Sequence, residues 1–271
     1  MIRVLHSVSN MDRGGIETML MNYYRHIDRE KVQFDFIVSK QKPGDYDDEI
    51  RRLGGHIYQS PGLNPLHYPA YLRFVQQTVA TRPPPSAILH AHNEAMGLYA
   101  LKGAEKAGLQ VRIAHAHNIW IVRDYKWPLK MFCKQLLPGA ATHLWACGRD
   151  AGIYYFGKAD WERRGQIIPN AIEPETFRFS PAVRAEMRAR YGLEDRVVLG
   201  HVGRFDVRKN HERLLEIFAA FLQLGDRCDR NRHHVVADDG VELILDFLTR
   251  FALGRRNRSA RLGYGLRLPS V

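Results

Sequence analysis

The chain alternates between two hydrophobic periods. Residues 2–8 form an apolar, β-branched run that ends in a polar loop at Ser9. After Gly14 and Gly15 the apolar positions return at helical spacing, with Ile16, Met19, Leu20 and Tyr23 on one face. Runs at 32–39 and 56–60 predict two more strands, with a short helix at 46–53 between them that stops at Gly54 and Gly55. Residues 68–80 are amphipathic and end before Pro83, Pro84 and Pro85, which cannot continue a helix. Further strands are expected at 87–93, 111–118, 141–147 and 166–172, separated by helices at 94–106, 123–137 and 148–156. Short apolar strands alternating with helices predict an α/β fold, a doubly wound, Rossmann-like parallel sheet covered on both faces.

A second unit opens at Val197. Val197, Val198, Leu199 and Val202, broken by Gly200 and Gly203, predict a buried strand, and Leu214, Leu215, Phe218, Ala219 and Phe221 predict the helix after it. Strand, glycine turn and helix together make a place where α/β proteins hold anions. Arg204 and Lys209 sit in that turn and supply the cations a diphosphate needs. The expected domains are 1–178, 179–222 and a divergent basic tail at 223–271. Thr249 to Val271 contains six arginines and no acid, without helical or strand periodicity.

Composition narrows the classes. With 271 residues, 45% of them hydrophobic, the chain has enough apolar material for a large core or two domains. Net charge is +11, which favours an anionic partner, and the absence of a nucleic-acid motif turns that expectation from nucleic acid toward a sugar diphosphate or an anionic membrane surface. Cys133, Cys147 and Cys228 lie far apart with no C-x-x-C pair, so a reducing compartment is expected and structural zinc is not. No signal peptide or 18-residue apolar stretch is present, and the location expected is cytoplasmic.

Two strand ends carry paired histidines, A-I-L-H-A-H-N with His90 and His92, and V-R-I-A-H-A-H-N with His115 and His117. Histidines two apart on a strand share one face, and H-x-H is also how several metal hydrolases begin a metal site. That reading needs a convergent carboxylate, with Glu94 or Asp124 as the candidates. Arg123, Lys126, Lys130 and Lys134 are interleaved with Tyr125, Trp127, Leu129, Met131 and Phe132, a mixture that suits an anionic leaflet. A core-packed helix with a solvated lysine face accounts for it equally well.

H-V-G-R-F-D-V-R-K-N-H-E-R-L-L-E-I-F-A resembles the opening of the second domain of family 4 glycosyltransferases, which have the two-domain GT-B architecture, especially those of exopolysaccharide and capsule synthesis. G-G-I-E-T-M-L-M-N-Y-Y-R resembles their G-G-x-E loop. A-C-G-R-D-A-G-I-Y-Y-F-G is similar to their A-C-S-x-x-A-G-x-x-x-F-G segment with Gly148 in place of serine. Q-I-I-P-N-A-I resembles their strand and I-P-N-G-I-D turn, with Ala171 for glycine and Glu173 for aspartate.

The resemblance implies a GT-B-like glycosyltransferase that moves a sugar from a nucleotide-diphosphate sugar to a polysaccharide or lipid-linked acceptor. It implies a retaining reaction, with no metal and no cofactor. It assigns the donor diphosphate to Arg204, Lys209 and the Gly15 amide, and the contact near the reacting carbon to His117. Gly14, Glu17, His92, His115 and Asn118 then line the acceptor side of the cleft. An enzyme with a lipid-linked acceptor works at the inner face of the membrane as a peripheral protein.

The family pattern ends near Leu222. The two glutamates, eight positions apart, that hold ribose and sugar in complete members are not found, and Glu242 is the one glutamate after that point. A truncated or frame-shifted chain of low activity is therefore expected. A catalytically dead acceptor-binding or membrane-surface module is the alternative, and a metal hydrolase built on the H-x-H pairs is the third reading.

Overall fold

A computed structural model describes residues 1–80, 86–194, 198, 201 and 209–224. By its contacts the chain divides into two units, Met1–Phe177 and Arg178–Val271. The first is a seven-stranded sheet of β1 (Ile2–Val8), β2 (Val32–Val38), β3 (Ile57–Gln59), β4 (Ser86–Ala91), β5 (Val111–Ala116), β6 (His143–Ala146) and β7 (Gly165–Ile167). Every neighbouring pair is parallel, and the order is β3-β2-β1-β4-β5-β6-β7. The order reverses direction between β1 and β4, the switch point at which sheets of this kind bind ligands.

Seven helices connect these strands: α1 (Gly15–His26), α2 (Asp47–Arg52), α3 (Tyr68–Ala80), α4 (Leu98–Lys106), α5 (Trp127–Ala140), α6 (Arg149–Phe156) and α7 (Lys158–Arg164). Alternation along each strand sends residues to two cores. Leu5, Ile37, Leu89, Ala114 and Leu144 join Tyr71, Val75 and Leu101 of α3 and α4 on one face. Val4, Val8, Phe34, Phe36 and Val38 meet Met19, Leu20 and Tyr24 of α1 on the other. The α3–α4 contact is close because Gly103 has no side chain. A Cβ there would stand 2.6 Å from the Cβ of Val75.

Several boundaries differ from the sequence expectation for local reasons. The helix expected at 94–106 is a short 3-10 turn, Glu94–Gly97, followed by α4. Glu94 takes a left-handed backbone, φ +53°, which no α-helix contains. The helix expected at 123–137 begins later, at Trp127, with Pro128 in its first turn, where a missing amide proton costs nothing. It continues through Pro138 into its last turn. Helix α6 stops at Gly157, which has φ +78°, and α7 starts again at once. Strand β7 is three residues long, and Pro169 follows its end.

Of the second unit the structure describes α8 (Pro181–Tyr191) and α9 (His211–Leu224). Ser180 caps α8 by accepting from the Val183 amide at 3.3 Å, and Gly192 closes it with a left-handed φ of +62°. The strand expected at 197–203, the turn with Arg204, and the tail at 223–271 lie outside the described residues, apart from Val198, His201 and the backbone of 223–224.

Candidate active site

The carboxyl ends of β1, β4 and β5 bring five histidines together. His6 of β1 and His90 of β4 are register partners, and His92, His115 and His117 follow on the same sheet face. His6 Nδ1 lies 3.1 Å from His92 Nε2, and His92 Nδ1 lies 2.9 Å from His117 Nε2. A second pair joins His90 Nε2 to His115 Nδ1 at 3.1 Å. His6, His90, His92 and His115 are buried, while His117 is half-buried at the end of the line.

Burial sets the charge of these rings. Removal from water disfavours the imidazolium and lowers His6 to about 3, His115 to about 2 and His117 to about 4. Burial also holds His90 and His92 well below the usual value, and the neighbouring histidines add to the effect for them and for His115. All five are therefore neutral at pH 7, and each ring can donate from one nitrogen and accept at the other.

Around the line, backbone and side chains fix the loops. The His92 amide donates to Ser7 O at 2.8 Å, and Ser7 Oγ donates to Asn93 Oδ1 at 2.6 Å, tying β4 to β1 at the switch point. Asn118 donates its amide to Glu94, which links the ends of β4 and β5. Tyr155 of α6 donates to Trp120 O at 3.1 Å. Desolvation is the main reason its hydroxyl is pushed far above its usual value.

The glycine loop follows β1 directly. Gly14 is the N-cap of α1, and the Glu17 side chain folds back over it, so a Cβ at 14 would collide with that carboxylate. Gly15 has open space around it and is exposed. The segment after β2 braces this loop from outside. Asp45 Oδ2 accepts from the Arg13 amide at 3.1 Å, and Thr18 meets the Tyr46 hydroxyl at 3.0 Å. The chain after β7 comes back onto α1 as well. Tyr23 donates to Pro169 O and Asn22 to Ala171 O, both at 3.0 Å.

A profile of the family described as Glycosyltransferase Family 4 matches residues 13–176, more than half of the chain. The chain belongs to glycosyltransferase family 4. EpsF of Bacillus subtilis, described as a glycosyltransferase, is 37% identical over 243 residues, 88% of this chain and 62% of that protein. A GDP-mannose-dependent phosphatidylinositol monomannoside mannosyltransferase of Mycolicibacterium smegmatis is 25% identical over 221 residues, 75% of this chain and 52% of that one. The chain thus spans less than two thirds of the length of either relative. Among solved structures, HepE of Anabaena in complex with UDP has a TM-score of 0.67 at 16% identity, over 94% of this chain and 68% of that one. A glycosyltransferase of Rickettsia africae has a TM-score of 0.65 at 11% identity, over 94% and 65%. These likenesses show a GT-B-type α/β fold.

Within this family 4 member the structure brings together His92, His115, His117 and Asn118, and it sets Gly14, Gly15 and Glu17 after the neighbouring strand. Lys209 is described and exposed, just ahead of α9, whereas Arg204 lies outside the described residues. Sequence reading missed His6. It belongs to no H-x-H pair, but its place on β1 matches the register of His90. Tyr155 and the left-handed backbone of Glu94 were missed too, because neither leaves a motif. A surface hollow of about 560 Å³ lined by Arg13, Arg25, Tyr46 and Glu49 contains none of the histidines. Two of its charges pair, Arg25 with Glu49 at 2.7 Å.

Proposed function

We propose that this chain is a glycosyltransferase that moves a sugar from a nucleotide-diphosphate sugar to a polysaccharide or lipid-linked acceptor, with retention and without a metal. The observation that carries the reading is the half-buried, neutral His117 at the switch-point edge of a family 4 sheet. The donor class is supported by the UDP in the HepE complex and the GDP-mannose of the mycobacterial relative. The acceptor class is drawn from the resemblance to exopolysaccharide enzymes and from the phosphatidylinositol mannoside in that relative's name.

Arg204 and Lys209 neutralise the diphosphate as charge builds on the leaving group, the electrostatic contribution that usually dominates such transfers. Gly15 adds an exposed backbone amide. His117, uncharged, accepts or donates a hydrogen bond at the sugar near the reacting carbon. Gly14, Glu17, His92, His115 and Asn118 shape the acceptor side. No organic cofactor enters this scheme.

A lipid-linked acceptor places the protein at the inner face of the cytoplasmic membrane. Ile119, Trp120, Val122 and Tyr125 are exposed ahead of α5, and Phe132 and Leu136 are exposed on it, a surface suited to the headgroup region. The basic groups there are partly engaged. Lys130 pairs with Asp124 at 2.7 Å, and Lys134 lies 4.1 Å over the Tyr154 ring. No helix among the described residues is long and apolar enough to cross a membrane.

A second reading is an acceptor-binding module without turnover. Calorimetry with a panel of nucleotide sugars and with a lipid-linked acceptor, followed by transfer of labelled sugar, separates the two. Binding with turnover supports the transferase, binding of acceptor alone supports the module, and neither result removes both.

A further inference from the structure

The histidine line has more ligand capacity than sugar transfer uses. His92, His115 and His117 each offer one ring nitrogen, and the three nitrogens lie within 4.8 Å of one another. His6, His90 and His92 form a second such group that shares His92. Among the described residues, His6 Nε2 and His115 Nε2 are buried with no hydrogen-bond partner. Such orphans are uncommon in a packed core and call for a ligand, an ion or a rearranged ring.

The spacing suits a metal. Two nitrogens bound to one zinc-like ion at about 2.0–2.1 Å in a tetrahedron stand about 3.4 Å apart. His92 Nδ1 and His117 Nε2 are already 2.9 Å apart, so ring motions of a few tenths of an ångström convert a hydrogen bond into a shared ligand. The chemistry agrees as well. The three side chains offer imidazole nitrogens, the commonest donor to such ions. An all-imidazole set suits zinc, cobalt, nickel or copper, while magnesium and calcium need oxygen ligands.

We propose that His92, His115 and His117 form a binding site for one divalent transition-metal ion of the zinc type. His117 is half-buried and leaves a route for entry, whereas the rival trio His6, His90 and His92 is buried throughout. His6 completes the arrangement. Its Nδ1, 3.1 Å from His92 Nε2, accepts a hydrogen bond from the N–H that His92 carries there once His92 Nδ1 holds the ion. Three protein ligands leave a fourth position for water or a substrate oxygen, as in open zinc sites. The ion and the sugar contact then draw on the same ring, His117. The site itself stands whether or not the chain transfers sugar.

Titration of the untagged, chelator-treated full chain with Co²⁺ tests the site by the intense visible bands of tetrahedral cobalt. Saturation at one equivalent, with Zn²⁺ displacing the cobalt, is expected. His117→Gln changes a half-buried ring at a strand end and should weaken binding by more than about 10-fold, with His26→Gln, a change at an exposed histidine, as the control. Thermal melting of each variant without metal shows that it is folded. His6→Gln should weaken binding by about 10-fold, the cost of losing an outer-shell partner. Absence of tetrahedral bands in the unmodified chain overturns the proposal, whatever the variants do. Bands that survive unchanged in His117→Gln overturn this assignment of ligands.

Discussion

Arg3 reaches from β1 to Asp35 on β2 and places Nη1 2.7 Å from both carboxylate oxygens. Asp35 is 1% exposed and takes two further hydrogen bonds from His56, one from its amide and one from its ring. A buried pair of this kind is costly to break from one side, because the remaining charge stays desolvated. Arg3→Met should therefore destabilise the first unit by about 3–5 kcal/mol in urea unfolding. The double variant Arg3→Met with Asp35→Leu should recover most of that loss. A double variant no more stable than the single one would show that the pair contributes attraction beyond its own desolvation.

Acid should unfold the first unit early. The unfolded chain takes protons on its histidines near the usual pKa of about 6.5, while the folded chain resists until about 4 at His117 and about 3 at His6. Folded pKa values that are lowered mean that the unfolded state binds more protons in that window, so stability falls as pH drops from about 6.5 toward 4. Above about pH 7 these rings are neutral in both states and add no slope. Urea midpoints measured with chelator from pH 8 to pH 4 should show this decline. His90→Gln together with His115→Gln should flatten it, and a slope unchanged in that variant would remove the cluster as its cause.

Gly103 marks a tight helix contact in the larger core. Gly103→Ala should cost about 1–3 kcal/mol, the usual range for overpacking, although alanine is the better helix former. Val75→Ala in the same chain should return only a small part of it, because it removes the two γ-methyls at 2.9 and 3.2 Å but keeps the Cβ at 2.6 Å. Thermal melting of the single and double variants provides the comparison.

Nucleotide affinity should depend on the turn before α9. Replacing Arg204 or Lys209 with alanine leaves diphosphate charge unpaired and should weaken UDP or GDP binding by about 1.5–3 kcal/mol. Calorimetry on Arg204→Ala decides the matter, and unchanged affinity would make the turn a plain basic surface.

Much of the sheet was legible because its strands are buried on both faces. Such strands are nearly continuous apolar runs, as in residues 2–8 and 32–38, and they need no partner to be recognised. Helix starts were harder to place. Trp127 and Glu94 begin their elements only because a proline and a left-handed backbone intervene, and periodicity carries neither signal. Helix α7 is short and largely polar, with Trp161 as its one buried side chain, so it looks like a loop in sequence. At the site, the H-x-H pairs gave four histidines of the five. His6 became visible only through pairing between strands 84 residues apart in sequence, which local patterns do not record.

The histidine line also bears on which structures this chain avoids. In the native pairing, His6, His90, His92, His115 and His117 meet one another, while Leu5, Leu89 and Ala114 point the opposite way into apolar packing. A slip of one residue in β4 or β5 would drive two imidazoles into that packing, where no polar partner waits, and would turn leucine or alanine toward the histidines. A parallel sheet of uniform aliphatic strands would slide between such arrangements at little cost. Here each one-residue slip of β4 or β5 strands two polar rings, so the cluster acts as a key against that misalignment.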